Sequence, residues 1–383
     1  MNPLKDLLVI SLEQAVAAPY CTARLIDAGA RVIKIERHDG DFARRYDTAA
    51  KNDSSYFAWL NQGKESVCLD IKTEPDKSLF RSLLNRADIF VQNLAPGAIE
   101  RAGFNNDALR ASNPKLIICN ISGYGYSAAV SGKRGYDLLI QAESGLISVS
   151  GSPEEPSRIG VSICDIGTGM TAYYGVLEAL LERKNSGRGN TFDVSLFDVA
   201  VDWLSVPFIH TQYGKGTPQP SGLRHPSIAP YGAFYCRDER AVLISIQNER
   251  EWKRFCEKVL QTPDLASNIL YETNEQRVQN RETLELKINT ITNAMTSAEF
   301  TKRLDGADIA YGLINTMDDL PEHPAFRSRY IRNTDGQQLS IPATPIVWRQ
   351  KAELLSTRLP RIGEHTDAIR AEFQVSNRYQ GYS

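Results

Sequence analysis

Residues 7–36 read LLVISLEQAVAAPYCTARLIDAGARVIKIE, and the fold class is predicted from the pattern of these residues. Residues 7–12 form an apolar run of strand length, and residues 31–36 form a second run that is rich in β-branched side chains. Between them, residues 19–29 begin on a proline and close on Gly29, as helices often do. The stretch therefore predicts a strand, a helix and a second strand, which is the repeating unit of a parallel sheet.

The same alternation continues to about residue 125. Further strands are predicted at 66–71, 88–94 and 116–121, and a helix is predicted at 75–87. Strands that alternate with helices of this length predict an α/β fold with a mostly parallel sheet.

A second, smaller unit is predicted after a stretch of linker composition. Residues 213–230 read YGKGTPQPSGLRHPSIAP, and this density of Pro and Gly is typical of a connection between domains. A helical tail is predicted from Thr366. The other predicted segments are strands at 232–236 and 241–247, helices at 252–260, 281–290 and 297–305, and an extended connector marked by Pro321, Pro324, Pro342 and Pro345.

The composition excludes several classes of protein. The 383 residues include 44 Lys and Arg against 46 Asp and Glu, so the chain lacks the basic excess that nucleic acids or anionic membranes attract. No apolar run approaches the roughly 20 residues that span a bilayer, and the charged residues Asp6 and Glu13 bound the first apolar run, which argues against a secretory signal. Six scattered cysteines without a CxxC pair indicate reduced thiols and a cytoplasmic location, with no zinc site.

A strand–helix–strand opening suggests dinucleotide binding, which requires a glycine-rich turn after the first strand. The turn here reads QAVAAP at residues 14–19 and contains no glycine. The backbone could not approach a pyrophosphate closely, so a nicotinamide or flavin enzyme is disfavoured.

Asp165 lies in the most informative local pattern of the chain, CDIGTGM at residues 164–170. Apolar spacing predicts a helix from Met170 that ends at Gly187, which places Asp165 just before the N-terminus of that helix. One interpretation is an N-cap. The other is a nucleophilic carboxylate, with Gly167 and Gly169 leaving room for an acyl group. The two are compatible.

Other candidate residues also have two interpretations each. The arginines around Gly40 suit phosphates or carboxylates, or they belong to a solvated loop. Arg224 and His225 suit a substrate carboxylate, or His225 packs beside Pro226. Cys164 is either a thiol nucleophile or a buried cysteine. The arginines concerned are Arg37, Arg44 and Arg45.

A series of short motifs runs along the chain in a fixed order. The motifs are AGARVIKIE at 28–36, GKESVCLDIK at 63–72, ADIFVQN at 87–93, Pro96-Gly97 with Glu100-Arg101, GYDLLIQAESG at 135–145, DIGTG at 165–169, GRG at 187–189, His323-Pro324 and RIGEH at 361–365. No single motif is specific, but the ordered series resembles the class III CoA-transferase family, also called the formyl-CoA transferase or carnitine CoA-transferase family. The series follows the family's order from about residue 6 to 200, with further matches near the C-terminus.

The resemblance implies an interlocked homodimer. Each chain would have a large Rossmann-like, CoA-binding domain at 1–200, completed by 330–383. A linker at 201–225 would lead to a small α+β domain at 226–325, and a return linker at 326–350 would lead back.

The resemblance also implies the chemistry. Asp165 would be the nucleophile, and CoA thioesters would be substrates, with no metal and no permanently bound cofactor. The carboxylate would attack the donor thioester to give a mixed anhydride, and the CoA thiolate would convert this to an aspartyl-CoA thioester. The acceptor carboxylate would then attack the aspartyl-CoA thioester, and the thiolate would return to give the new acyl-CoA. The protein must keep water from these activated intermediates.

Further site residues follow from the same resemblance. The CoA channel would be lined at one end by Gln14, Ala15 and Arg37, and at its nucleotide end by Asn93, Arg101 and Arg134. The residues expected near the substrate are Tyr136 and Asp137, which approach the nucleophile in relatives, together with Arg44, Arg224 and His225.

Two departures from the family pattern concern the acceptor. Relatives that carry formyl or oxalyl groups have a run of glycines where this chain reads GLRHPSIAPYG at 222–232, and a glutamine where it has Val16. Both departures argue against oxalate, and Arg224 could neutralise a second carboxylate. We therefore expect a C4–C5 dicarboxylate, with succinyl-CoA donating CoA to itaconate. Intramolecular transfer between the C1 and C4 carboxyls of mesaconyl-CoA is the alternative.

Two other functions are alternatives to CoA transfer. Alpha-methylacyl-CoA racemases resemble the same family but have a His-Asp pair where this chain has Tyr136-Asp137. A neutral tyrosine is a poor general base, which disfavours racemisation. A non-catalytic CoA-binding protein is also conceivable, because fold does not fix function.

Overall fold

The computed structural model describes residues 2–130, 132–214, 216–349 and 357–374. Its described residues divide into two compact units. The first comprises the described parts of 1–146, 158–206 and 327–383, and the second comprises those of 147–157 and 207–326. The second unit thus includes residues 147–157, which the predicted boundaries assign to the large domain. Parts of the predicted return linker and of the predicted 330–383 segment lie outside the described residues.

The first unit is built on a six-stranded sheet in the order β3-β2-β1-β4-β5-β6, and every neighbouring pair is parallel. Four of the strands are buried along almost their whole length, because protein covers both faces of the sheet. This confirms the predicted α/β class. The strands are β1 Leu8–Leu12, β2 Arg31–Glu36, β3 Glu65–Cys68, β4 Ile89–Gln92, β5 Ile117–Ser122 and β6 Thr191–Ser195.

Helices connect these strands, and one of them is much longer than the sequence indicated. This helix, α7, spans Ile163–Ser186 and packs against α1 and β5. The preceding helices are α1 Ala17–Asp27, α2 Ser55–Leu60, α3 Glu74–Arg86, α4 Ala98–Arg101, α5 Asn106–Ser112 and α6 Asp137–Glu143, and α8 Leu196–Trp203 and α9 Ser205–Tyr213 follow it.

The strand order reverses between β1 and β4, which are hydrogen-bonded neighbours. In open parallel sheets, ligands bind beyond the carboxyl ends of the strands at such a point. The segments that leave this edge are residues 13–16 after β1 and Asn93 after β4.

The second unit has its own three-stranded antiparallel sheet and its own apolar core. The core includes Trp252, Phe255 and Phe300, each almost fully buried. The strands are β7 Tyr231–Tyr235, β8 Ala241–Ser245 and β9 Ala310–Leu313, and the helices are α10 Glu249–Arg254, a π-helix Phe255–Leu260, α11 Asn274–Gln279, α12 Arg281–Thr292 and α13 Ser297–Gly306.

The proline-rich connector after the second unit is not simply extended, and this prediction was wrong. Strands β10 Ser328–Arg332 and β11 Gln338–Pro342 form an antiparallel hairpin there. Pro342 is tolerated because it ends the strand. The final described helix, α14, spans Thr366–Gln374. The remaining short 3-10 helices are Phe42–Arg45, Ala128–Val130, Ile147–Val149, Pro263–Leu265 and Leu320–Glu322.

Within the described ranges, no helix is both long enough and apolar enough to cross a bilayer.

Candidate active site

Asp165 lies inside the first turn of α7, not before it, so its predicted position and its N-cap interpretation were wrong. The helix begins at Ile163, and Ser162 occupies the N-cap position without a side-chain hydrogen bond to the helix. The carboxylate of Asp137 takes over the capping: its Oδ1 accepts the backbone N–H groups of Cys164 at 2.8 Å and Asp165 at 3.1 Å. Two carboxylates therefore meet at one helix N-terminus, where negative charge is favoured.

Gly167 and Gly169 allow close packing rather than access for an acyl group. A Cβ atom on Gly167 would lie 2.1 Å from the Trp203 ring. A Cβ atom on Gly169 would lie 2.6 Å from the Ala17 carbonyl and 2.7 Å from Cβ of Tyr20. The two glycines are thus needed where α8 and α1 press against α7.

The partly buried Asp165 has a perturbed titration. Burial, and after it the negative charge of Asp137, raises the pKa of Asp165 to about 7. The carboxylate is consequently ionised above neutral pH, and it is more basic than a solvated carboxylate. Such perturbed groups cluster at functional sites.

Removing the Asp137 charge should shift the pH dependence of the reaction. If the ionised form of Asp165 reacts, kcat/KM of the wild type falls as the pH drops through about 7. In Asp137→Asn the amide oxygen still caps the helix but the charge is lost, so we expect the midpoint to move down by roughly one pH unit. Initial rates between pH 5 and 9 measure this. Glu178→Gln is the control, because this exposed residue lies about 20 Å further along α7; an unmoved midpoint in Asp137→Asn would contradict the assignment.

Tyr46 is a site residue that the sequence did not reveal. It follows the 3-10 helix Phe42–Arg45, and its ring packs edge-on against Tyr56 at a centroid distance of 5.3 Å. Burial, and then the carboxylates of Asp41 and Asp165, raises the pKa of Tyr46 to about 12. The phenol near Asp165 is therefore protonated at neutral pH and can donate a hydrogen bond. Only the neighbouring arginines marked this segment in the sequence.

The turn after β1 is held by side chains from two other segments. Asn93 accepts the Gln14 N–H at 2.9 Å and donates to the Gln14 carbonyl at 2.8 Å. Asp41 accepts the Ala15 N–H at 3.1 Å. Ala15 has a φ of 62°, a left-handed conformation that a non-glycine residue adopts only where its surroundings enforce it. The side chain of Asn93 thus positions the turn.

Four buried charges lie behind this turn. Lys34 Nζ is 2.8 Å from Asp41 and 3.5 Å from Glu13, and Lys64 Nζ is 2.6 Å from Glu13; none of these side chains is exposed. Burial opposes the charge of Lys34, but the carboxylates of Asp41 and Glu13 outweigh burial and raise the pKa of Lys34. We call Glu13, Lys34, Asp41 and Lys64 the buried charge cluster.

The predicted arginines have different surroundings. The guanidinium of Arg44 donates to both carboxylate oxygens of Glu36, at 2.9 and 2.6 Å, and to the Pro360 carbonyl, and only 10% of the side chain is exposed. Every nitrogen of Arg44 is therefore engaged within the protein. Four other predicted arginines of the first unit lie at the surface: Arg37, Arg45, Arg101 and Arg134.

Tyr136 is exposed at the N-cap position of α6, directly before Asp137.

Arg224 and His225 belong to the second unit, in the loop before β7. Arg224 pairs with Glu285 at 2.7 Å, and the His225 ring stacks on Tyr231 at 5.1 Å.

Cys164 does not have the properties of a nucleophile. Burial raises the pKa of its thiol to about 12, and the charges of Asp137 and Asp165 act in the same direction. The thiolate is therefore scarce at neutral pH.

Across the part of the chain that the structure describes, no group of three or more His, Cys, Asp or Glu side chains could hold a metal ion.

Comparisons with known proteins agree over almost the whole chain. The model of CoA-transferase family III matches residues 4–366. The acetyl-CoA:oxalate CoA-transferase of Acetobacter aceti is 30% identical, with 97% of this chain and 96% of that protein covered. The succinyl-CoA:glutarate CoA-transferase of Mus musculus is 31% identical (97% and 86% covered), and the succinyl-CoA:mesaconate CoA-transferase of Haloarcula hispanica is 30% identical (95% and 95% covered).

The likeness extends to three dimensions. A crystal structure of a CAIB/BAIF family protein from Brucella suis superposes with a TM-score of 0.85 at 31% identity, covering 97% of this chain and 99% of that one. The chain therefore belongs to CoA-transferase family III, and it is an enzyme of that class.

Proposed function

We propose that the chain transfers CoA from succinyl-CoA to a C4–C5 dicarboxylate through a covalent intermediate on Asp165. The observation that carries this is the placement of Asp165: it is partly buried in the first turn of α7 beside Asp137, with its pKa raised to about 7. A carboxylate that is ionised near neutral pH and poorly solvated is a competent nucleophile toward a thioester.

The covalent steps balance without an external reagent. Asp165 attacks the donor thioester carbonyl, so the C–S bond breaks and a mixed anhydride and CoA thiolate form. The thiolate attacks the aspartyl carbonyl and releases the donor carboxylate, leaving an aspartyl-CoA thioester. The acceptor carboxylate attacks this thioester, and the freed thiolate then attacks the acceptor's acyl carbonyl and regenerates Asp165.

The CoA thioester is proposed to bind at the edge where β1 and β4 end. Gln14 and Ala15 would line the channel, and Asn93 would hold their turn in place. The exposed guanidiniums of Arg37, Arg101 and Arg134 would meet the phosphates. Arg44 is not included among the proposed ligand-binding residues, because its guanidinium already donates to Glu36 and to the Pro360 carbonyl. The strand order 3-2-1-4-5-6 supports a Rossmann-like description of this unit.

For the acceptor, we propose itaconate or a close analogue, with its second carboxylate on Arg224 and His225. The relatives named for glutarate and mesaconate act on dicarboxylates of this size. The relative named for oxalate is equally similar in sequence. Oxalate is therefore the acceptor with which itaconate must be compared.

A panel of acceptors tests the assignment. The protein is incubated with succinyl-CoA and, separately, itaconate, mesaconate, citramalate, malate, glutarate, oxalate or carnitine, and new acyl-CoA is measured by mass spectrometry. We expect exchange with itaconate or mesaconate and none with oxalate. Turnover with oxalate or carnitine alone would refute the substrate class, and conversion of mesaconyl-CoA between its C1 and C4 thioesters without an added acid would establish the intramolecular reaction.

We propose further that two chains form a homodimer. Helices α7 and α8 expose large apolar side chains, a pattern that favours an interface. These residues are Met170, Tyr174, Leu181 and Trp203. Sedimentation velocity at micromolar concentration tests the dimer, and a monomer would contradict it.

A cytoplasmic location is also proposed, because the six cysteines are unpaired.

A further inference from the structure

One loop of the second unit is fixed by polar side chains of two successive helices. Asn274 of α11 accepts the Ala229 N–H at 3.1 Å and donates to the Ser227 carbonyl at 2.9 Å. Arg277 of the same helix donates to the Ala229 carbonyl at 2.7 Å. The backbone of this loop, residues 224–230, is thus held at several points.

Arg281 and Glu285 of α12 continue this row of contacts. Nη2 of Arg281 donates to the carbonyls of His225 at 2.8 Å and Ile228 at 2.9 Å. Glu285 instead meets a side chain: its Oε2 lies 2.7 Å from Nη2 of Arg224. Its Oε1 lies 3.7 Å from Nη1 of Arg281. Glu285 thus contacts the loop through the side chain of Arg224, whereas Arg281 contacts its backbone.

What Glu285 changes is the charge that the loop presents. One carboxylate is shared between the guanidiniums of Arg224 and Arg281, so positive charge remains in excess. The side chain of Arg224 is 53% exposed, whereas those of Glu285 and Arg281 are only 11% and 14% exposed. The excess positive charge is therefore exposed to solvent at Arg224, and the ion pair with Glu285 reduces that charge.

We propose that Glu285 is a specificity-determining residue that competes with the second carboxylate of the acceptor for the guanidinium of Arg224. This inference rests on the proposed function, in which Arg224 binds that carboxylate. The second carboxylate takes no part in making or breaking bonds, so its contact with Arg224 contributes equally in the ground and transition states. Strengthening this contact therefore lowers KM without raising kcat. By weakening it, Glu285 lets an acyl-CoA product with the same free carboxylate dissociate.

Glu285→Gln tests this, because the amide keeps the size of the side chain and an oxygen for Arg224 but removes the charge. At saturating succinyl-CoA we expect KM for itaconate to fall about fivefold. Butyrate lacks the second carboxylate, so its KM should be the same in Glu285→Gln and in the wild type. The difference should shrink as the salt concentration rises.

Two variants complete the design. Glu282→Gln removes an exposed carboxylate from the same helix and should leave KM for itaconate as in the wild type. Glu285→Asp keeps the charge and should not show the lowered KM. A loosened fold raises KM or lowers kcat, so a lower KM cannot result from structural damage.

Arg224→Met separates this inference from the proposed function. If that variant raises KM for itaconate but Glu285→Gln leaves it unchanged or raises it, the role of Glu285 is refuted and the proposed site stands. If Arg224→Met leaves KM for itaconate unchanged, the proposed acceptor site fails, and the inference fails with it.

Discussion

Asp165→Asn is expected to lower the rate of CoA exchange by at least about 10⁴-fold. The amide has nearly the same size as the carboxylate but cannot form the mixed anhydride, so every later step is lost. The helix start should be retained, because Asp137 binds the backbone N–H groups of residues 164 and 165 rather than the Asp165 side chain. Exchange of labelled succinate into succinyl-CoA measures the loss.

Two further measurements make this result specific. Isothermal titration should show that Asp165→Asn still binds CoA, and hydroxylamine added during wild-type turnover should leave a hydroxamate on Asp165 that mass spectrometry detects. Asp198→Asn is not a suitable control, because that carboxylate accepts from Ser195. Glu178→Gln on the exposed face of α7 is suitable and should retain exchange. Exchange at the wild-type rate in Asp165→Asn would exclude the covalent aspartyl mechanism.

The sequence predicted the parallel sheet well because local patterns determine it. The apolar and β-branched runs that become β1 and β2 are flanked by turn residues, and both strands form within a residue of their predicted bounds. The start of α7 was missed for a physical reason. Gly167 and Gly169 resemble a helix boundary, but they lie inside the helix because Trp203 and Tyr20 pack where side chains would otherwise be.

The candidate site was predicted in part. Asp165 was singled out by its motif, and Asp137 by its position in relatives, but no sequence pattern shows that Asp137 caps the helix of Asp165 from 28 positions away. Lys34 illustrates the same limit. Lys34 shares a face of β2 with Val32 and Glu36, and it is fully buried with Asp41 and Glu13 beside its amine. The pattern of β2 alone does not show these two partners. Contacts between distant segments decide both cases.

Lys34→Met should destabilise the first unit by about 3–5 kcal/mol, because it leaves Asp41 buried without its cation. Lys64 cannot replace the lost charge, since its own amine lies 2.6 Å from Glu13. The denaturation midpoint of the variant, followed by circular dichroism, measures the loss. Lys77→Met is the matched control: its partner Glu74 is 74% exposed, so removal should cost less than about 1 kcal/mol. A Lys34→Met midpoint equal to that of Lys77→Met would contradict the role of the cluster.

The double variant Lys34→Met, Asp41→Asn distinguishes charge balance from shape. The asparagine Oδ1 can still accept the N–H groups of Ala15 and Ala43, which Asp41 holds at 3.1 and 2.9 Å, and no uncompensated carboxylate remains. Since a buried ion pair replaced by neutral groups is often close to neutral in stability, we expect the double variant to recover most of the lost stability. KM for succinyl-CoA in the double variant should equal that of the wild type, because the amide oxygen still holds the left-handed turn at Ala15. A raised KM at recovered stability would show that the charges act on substrate binding other than through this turn.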